Sequence, residues 1–339
     1  MMSLPDHAYY QLTDDLRIAR ILNGMWQVSG GHGAINQAVA IDRMMDYHRD
    51  GFTTWDLADH YGPAEDFIGL FRSAMIEKYG DSALENSHAF TKWVPRPVAM
   101  PYEKVAAAID ISKKRMRVDA LDMLQFHWWD YSKNAYLDAL KHMADLQANG
   151  HIKHLSLTNF DTEHTAKILD AGIKLVSNQV QYSIIDRRPQ VQMASYYANN
   201  DMKLLTYGTL AGGLLSDRYL QQAEPTGTQL ATVSLRKYKQ MIDLWGGWTL
   251  FQALLTTLRG IADQYGVSIA NVAVRYVLQQ PTVAGVIAGT RLSISDNRDD
   301  NKQVFNFALS EADLNKIDAI SEQSHDLFTI IGDCGDEYR

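Results

Sequence analysis

The stretch Phe52–Asp66, FTTWDLADHYGPAED, begins as an apolar, β-branched run and within a few residues delivers Asp56, Asp59, His60 and Tyr61. A buried strand that ends in ionisable groups marks an active site in a parallel α/β protein, because ligands bind outside the carboxyl ends of such strands. Two more polar residues repeat the pattern: Lys92 near the end of HAFTKW, 36 residues after Asp56, and His127 at the end of LDMLQFH, 35 residues after Lys92. That interval is one strand-helix repeat. In a barrel it stands the three side chains side by side at one end of the pore, with Tyr61 on the loop just after Asp56.

A carboxylate, an ammonium, an imidazole and a phenol in one pocket suit carbonyl reduction with hydride from a nicotinamide. Tyr61 is read as the general acid. A free phenol titrates near about 10 and an ammonium within about 4–6 Å favours the phenolate, so Lys92 is expected to lower the Tyr61 pKa. Asp56 then keeps Lys92 charged and in place, and His127 is expected to hydrogen-bond the carbonyl oxygen and turn it towards Tyr61. Taken singly, each residue has a structural reading as well: Asp56 as a strand-end cap, Lys92 and His127 as partners in an ion pair. Asp59 and His60 are read as polar loop residues. A metal-dependent barrel hydrolase would want paired histidines on an early strand; the first strand offers none, and His32 lies in the glycine-rich SGGHG.

The elements that must position these groups are legible as apolar runs of strand length alternating with amphipathic stretches of helix length, the pattern of parallel strands joined by crossover helices. Strands are expected at Ala19–Val28, Thr53–Ala58, His88–Trp93, Leu121–Trp128, Lys153–Thr158, Leu175–Gln181, Lys203–Tyr207 and Val283–Ala288. Helical patterns fill the gaps, including Pro63–Lys78, Tyr102–Met116, Asn134–Asn149 and Thr162–Ala171, the last with Asp161 as N-cap; Gly150 and Gly172 close two of them. Eight repeats indicate a (β/α)8 TIM barrel spanning residues 1–339 as one domain, with a doubly wound sheet as the runner-up. Tyr9–Leu16 is expected to form a short N-terminal β-hairpin plugging the barrel floor. Leu214–Trp248, after the seventh strand, is far longer than the usual loop of about 2–6 residues and is read as a functional loop over the mouth. Helices Leu250–Tyr265 and Ser268–Gln279 follow, the second capped by Ser268.

Composition narrows the classes. The 339 residues carry 40 acids against 32 bases, a formal charge of −8, with no run of five or more Lys/Arg, so nucleic acid and anionic membrane are poor partners. No segment has the uninterrupted apolar length of a membrane span, and the acidic, polar N-terminal stretch lacks the apolar core of a signal peptide, so a cytoplasmic protein is expected. Cys334, the single cysteine, has no second thiol for a disulfide or a zinc site and is read as an inert tail residue.

These residues resemble the aldo-keto reductases over essentially the whole chain. WDLADHYGPAED is similar to that family's Asp-x-Ala-x-x-Tyr-Gly-x-x-Glu signature, TKW to its lysine strand and LQFHWWD to its histidine strand, so that Asp56, Tyr61, Lys92 and His127 match the catalytic tetrad in type and order. The resemblance implies cofactor positions too. In LTNF and SNQVQYS, Thr158, Asn159 and Gln179 would hold the nicotinamide carboxamide. In LLTYGTLAGGLLS, Tyr207 would stack on the nicotinamide and the backbone at Leu210 would meet the pyrophosphate. Trp26 and Trp128 match aromatic walls of the substrate pocket. AGTRLSISDNRDDNKQVFNF resembles the segment that takes the adenosine 2′-phosphate, with Thr290 and Arg291 at the phosphate and Asn301 at the adenine. It carries two extra residues near Ser293–Ser295, and Asn297 stands where the family commonly has an arginine. NADP(H) is therefore the favoured cofactor and NAD(H) the alternative.

The resulting expectation is a metal-free reductase of aldehydes or ketones. A sugar dehydrogenase working in the oxidative direction uses the same site. A nicotinamide-binding redox sensor of the potassium-channel β-subunit type is the reading from another class. Arg187 and Arg188 are read as caps of the next helix rather than binders of an acidic substrate group. Arg218, Tyr219, Trp245 and Trp248 are candidates to shape the pocket from the long loop.

Overall fold

The computed structural model describes residues 4–30 and 35–339; His32 lies outside them. Among the described residues there are ten strands: β1 (Tyr9–Thr13), β2 (Leu16–Ala19), β3 (Ile21–Gly24), β4 (Thr54–Asp56), β5 (His88–Trp93), β6 (Leu121–His127), β7 (Ile152–Thr158), β8 (Ser177–Gln181), β9 (Lys203–Tyr207) and β10 (Val283–Gly289). β3 to β10 close in order into a parallel barrel, with β10 pairing back onto β3, and helices fill the crossovers. This is the (β/α)8 architecture expected. β1 and β2 form the antiparallel N-terminal hairpin.

A side-chain period of two along each strand explains how the site is raised above the floor. Leu22, Phe90, Met123, Leu205 and Ala284 form one apolar cluster with Leu16 and Ile18 of the hairpin. Two residues further along, Phe90 gives way to Lys92, Met123 to Gln125 and then His127, and Leu205 to Tyr207. The hairpin thus seals one end, and the buried polar groups sit at the other.

The expected strand Ala19–Val28 is broken. Arg20 leaves the hairpin, its backbone N–H bonding the Ala8 carbonyl and its guanidinium donating to the carbonyls of Leu278 (2.6 Å) and Val283 (3.0 Å). The barrel strand is only Ile21–Gly24, and Trp26–Ser29 is a helical turn. The helices Tyr102–Met116 and Thr162–Asp170 fall where periodicity puts them, and Asp161 and Ser268 accept from the N–H groups of His164 and Asn271 as N-caps. The segment Leu214–Trp248 is not a bare loop. It contains the helix Val233–Trp245, which buries Tyr238, Met241, Ile242 and Trp245, a helical spacing present in the sequence and passed over. Among the described residues no helix is long and apolar enough to cross a membrane.

Arg187 occupies the N-cap position of the helical turn Arg188–Gln190, but neither its side chain nor that of Arg188 makes a capping bond there. Arg187 pairs with Asp318 (2.7 Å), whereas Arg188 is buried between Asp186 (2.8 Å) and Glu337 (2.9 Å). Cys334 is no loose tail residue but is fully buried, and burial pushes its thiol pKa well up, which keeps it protonated and unreactive.

Candidate active site

Above the apolar floor, the buried Lys92 ammonium lies 2.8 and 2.7 Å from the two Asp56 carboxylate oxygens and donates a third bond to the Leu57 carbonyl at 2.9 Å. Asp56 Oδ1 also accepts from the amides of Gln125 (2.9 Å) and Gln179 (2.6 Å). A buried ion pair needs such extra donors to offset desolvation. Lys92 Nζ stands 5.0 Å from the centroid of the Tyr61 ring, and the Trp26 ring packs against that ring in a T-shaped arrangement with centroids 5.0 Å apart.

The structure corrects the proton affinity expected of Tyr61. Its pKa is raised well above the ordinary phenol value, first by burial and then by the charge of Asp56. Lys92 does not reverse this, because its charge is neutralised at close range by the same Asp56; burial depresses the pKa of Lys92 itself. Tyr61 therefore holds its proton.

His127 is corrected in the same way. Its Nδ1 lies 2.9 Å from the Thr158 carbonyl oxygen, which can only accept, so Nδ1 carries the hydrogen. Burial pushes the imidazole pKa down to about 4, so the ring is neutral and Nε2 is a bare acceptor, buried and without a partner. It faces the cleft as a lone pair and not as the donor expected. The linkage has a definite sign: the unfolded chain, with His near about 6.5, binds the proton that the fold excludes, so stability falls as pH drops from about 6.5 towards 4. Urea unfolding should show a loss of roughly 3 kcal/mol over that window attributable to this residue, and His127→Gln should flatten the pH dependence by that amount.

The cleft over these groups has a volume of about 750 Å³. Asp56, Tyr61, Lys92, His127, Thr158, Asn159, Gln179, Tyr207, Leu210, Arg291 and Trp26 all lie on its wall. Thr158 Oγ1 is buried without a partner, and Tyr207 donates to Asn159 Oδ1 at 2.8 Å, with Asn159 in the left-handed region at φ 56°. Past Tyr207, the turn at Leu210–Gly213 packs under the helix Val233–Trp245; a Cβ on Gly212, at φ 66°, would come within 3.1 Å of the Ser234 backbone.

Three expected positions are not on that wall. Trp128 is 0% exposed and gives its indole N–H to the Asp130 and Lys133 carbonyls, while Trp129, 41% exposed, lines the cleft instead. The reason is strand parity: with His127 facing in, its neighbour must face out. The Thr290 hydroxyl and N–H both donate to the Gly24 carbonyl at 2.8 Å, locking the seam between β10 and β3. Asn301 sits one helical turn from Asn297, and it is Asn297 that reaches the cleft. Arg298 is fully engaged with Asp296 and Asp50, and Asp299 with Lys302, leaving Arg291 as the arginine of this segment on the wall.

Sequence reasoning missed several wall residues: His60, read as a loop residue, Gln27, Lys237 and Tyr338. The cluster of residue types also fits a nicotinamide dinucleotide: an unpartnered Thr158 hydroxyl beside two amides, a partly buried aromatic at the end of β9, a glycine turn under a helix start and an arginine on the wall.

Comparison with known proteins gives one family. Residues 20–322 match the model of the aldo/keto reductase family. The chain is 23% identical over 319 residues to the NADH-specific methylglyoxal reductase of Escherichia coli (strain K12), covering 89% of this chain and 94% of that one. It is 27% identical over 223 residues to the glyoxal reductase of Bacillus subtilis (strain 168), covering 65% of this chain and 64% of that one. Among solved structures, the glycerol dehydrogenase of Gluconobacter oxydans superposes with a TM-score of 0.74 at 21% identity, over 93% of this chain and 95% of that one. An aldo/keto reductase of Klebsiella pneumoniae in complex with NADP and acetate gives 0.69 at 18% identity, over the same shares.

Proposed function

The chain belongs to the aldo/keto reductase family of nicotinamide-dependent oxidoreductases, and from that premise we propose that it interconverts small aldehydes or ketones and their alcohols, with NADP(H) as the preferred cofactor and Tyr61 as the acid and base. The observation that carries this reading is the company of Tyr61: a protonated phenol, a buried Lys92–Asp56 pair beside its ring and a neutral imidazole, all on one cleft wall.

The nicotinamide, when bound, supplies or takes the hydride. Tyr61 gives its proton to the carbonyl oxygen as negative charge develops there, and Lys92, with its ammonium 5.0 Å from the ring centroid, offsets only the part of the phenolate charge that its pairing with Asp56 leaves it free to meet. Asp56 holds Lys92 in position and is itself held by Gln125 and Gln179. The bare Nε2 of His127 accepts the hydroxyl hydrogen of the alcohol only once Tyr61 carries its own proton again, so it holds the bound alcohol and takes no part in the proton transfer between that oxygen and Tyr61. Thr158, Asn159 and Gln179 would hold the carboxamide, Tyr207 the ring face and the Leu210 turn the pyrophosphate. Two of the curated relatives are named reductases of methylglyoxal and glyoxal, so small dicarbonyls are the first substrates to try.

The cofactor preference rests on Arg291, a cation at the edge of the cleft where the 2′-phosphate would lie. The test is reduction of methylglyoxal, glyoxal and aromatic aldehydes, and oxidation of glycerol and aldoses, each with NADP(H) and NAD(H), in wild type and Arg291→Ala. Turnover with Arg291→Ala weakened about tenfold or more for NADPH and little for NADH is expected. Equal weakening of both cofactors removes the Arg291 assignment, and no turnover of any substrate with cofactor bound overturns the enzyme reading.

A further inference from the structure

Lys237 has no place in the chemistry above, yet it is half-buried on the wall of the same cleft, in the second turn of the helix Val233–Trp245. Its ammonium lies 4.2 Å from the ring centroid of Tyr338, 5.4 Å from that of Tyr207 and 5.5 Å from that of Tyr238, and it donates a hydrogen bond to the Tyr338 hydroxyl. Among the described residues no carboxylate forms an ion pair with it. The contrast with Lys92, the other ammonium on this wall, is direct: that one is matched oxygen for oxygen by Asp56. Glu337, the acid next to Tyr338 in sequence, pairs through Oε2 with Arg188 at 2.9 Å and sets Oε1 3.5 Å from the Tyr207 hydroxyl, so it reaches Lys237 as a charge at longer range and not as an ion-pair partner. Three phenol faces offset part of the cost of taking a cation out of water, but they do not supply a counter-ion.

Tyr338 is held rigidly where Lys237 meets it. The C-terminal strap is bolted to the barrel mouth by Glu337 on Arg188, by Asp333 on the Thr162 N–H (2.8 Å), and by Arg339, which donates to the carbonyls of Asn159 (2.7 Å) and Trp128 (3.1 Å) with its guanidinium 3.8 Å from the Tyr131 ring centroid. Gly335 packs so closely that a Cβ would fall 2.1 Å from the Asn159 carbonyl oxygen. The strap presents the Tyr338 ring edge-on to His127 at 6.3 Å and to Trp129 at 5.9 Å, with its hydroxyl 3.0 Å from that of Tyr207. The Lys237–Tyr338 pair thus stands in the part of the cleft that holds His127 and Tyr207.

We infer that Lys237 and Tyr338 form a subsite for a carboxylate carried by the carbonyl substrate, so that short aldehyde or ketone acids are preferred over their uncharged counterparts. This rests on the reading of the cleft as a carbonyl-reduction site. The Lys237 ammonium keeps two N–H donors beyond the one it gives Tyr338, and the Tyr338 hydroxyl, whose proton goes to Tyr207, becomes a second adjacent donor when it rotates to a ligand, so that the pair meets the two oxygens of one planar carboxylate; a phosphate, with more oxygens and more charge, would leave most of its acceptors unmet. A neutral second carbonyl would use the phenol and leave the ammonium without a direct ion-pair partner.

The test compares 4-oxobutanoate and 4-carboxybenzaldehyde with their methyl esters as substrates of the wild-type, Lys237→Met and Lys237→Arg proteins. The ratio of kcat/KM for acid over ester should fall about tenfold or more in Lys237→Met and be largely restored in Lys237→Arg. A ratio unchanged in Lys237→Met overturns the inference. A fall for acid and ester together, with NADPH binding weakened by fluorescence titration, also overturns it and gives Lys237 to the cofactor phosphates. Binding of 4-(hydroxymethyl)benzoate to the NADP complex, by calorimetry, separates this inference from the one beneath it. If no carbonyl is turned over but this carboxylate still binds tenfold tighter to wild type than to Lys237→Met, the subsite stands and the catalytic reading falls. If it binds both equally, the subsite falls.

Discussion

Tyr61→Phe is expected to lower kcat/KM for carbonyl reduction by about two to four orders of magnitude, the range over which a positioned general acid contributes. The substitution removes one oxygen and keeps the ring, so the contacts with Trp26 at 5.0 Å, His60 at 4.9 Å and the Lys92 ammonium at 5.0 Å survive. Fold and cofactor affinity should therefore be retained, and the loss should fall on the chemical step. The raised pKa of Tyr61 keeps the phenol protonated before any substrate arrives and also makes it a weaker acid, so its contribution comes from placing that proton where charge develops on the carbonyl oxygen. The measurement is steady-state reduction beside a fluorescence titration with NADPH. A variant that binds NADPH and turns over like the wild type would falsify the assignment of Tyr61.

Asp56→Ala should be the most destabilising single change at the site, costing about 3–5 kcal/mol of folding free energy. It strips the buried Lys92 of both carboxylate oxygens and leaves a single bond, to the Leu57 carbonyl. It also leaves the amides of Gln125 and Gln179 without the acceptor they share, although Gln179 keeps its 2.7 Å bond to Gln125. The double variant Asp56→Ala/Lys92→Met removes the stranded charge as well, and most of the lost stability should return while reduction stays abolished. Urea midpoints of the single and double variants decide the matter. Equal destabilisation of both would mean that the cost lies in packing around Asp56 and not in an uncompensated ammonium.

Much of the site was legible because its signals are local. Asp56, Lys92 and His127 each end or nearly end an apolar strand, and the strands His88–Trp93 and Lys203–Tyr207 fall where their composition puts them. Strand parity was equally local, and reading it through would have turned Trp128 into the core and brought Trp129 to the cleft. The helix Val233–Trp245 was available on the same terms, from the spacing of its buried residues. The C-terminal strap was not: Arg339 meets the Trp128 carbonyl across 211 residues, and nothing in GDCGDEYR says which surface it will find.

The sequence by itself determined the barrel, the end at which its buried polar groups stand and which four residues meet there as the candidate site, because a strand-helix repeat and a side-chain period of two are properties of short stretches of chain. Only the tertiary structure decided their protonation. Tyr61 keeps its proton and His127 shows a lone pair because burial and charge are summed over segments far apart, and Asp56 is held by amides 69 and 123 residues away. Tertiary structure also decided that an ammonium on the inserted helix and a phenol on the last turn of the chain share one corner of the cleft, since that meeting depends on how the ends of the chain close over the barrel.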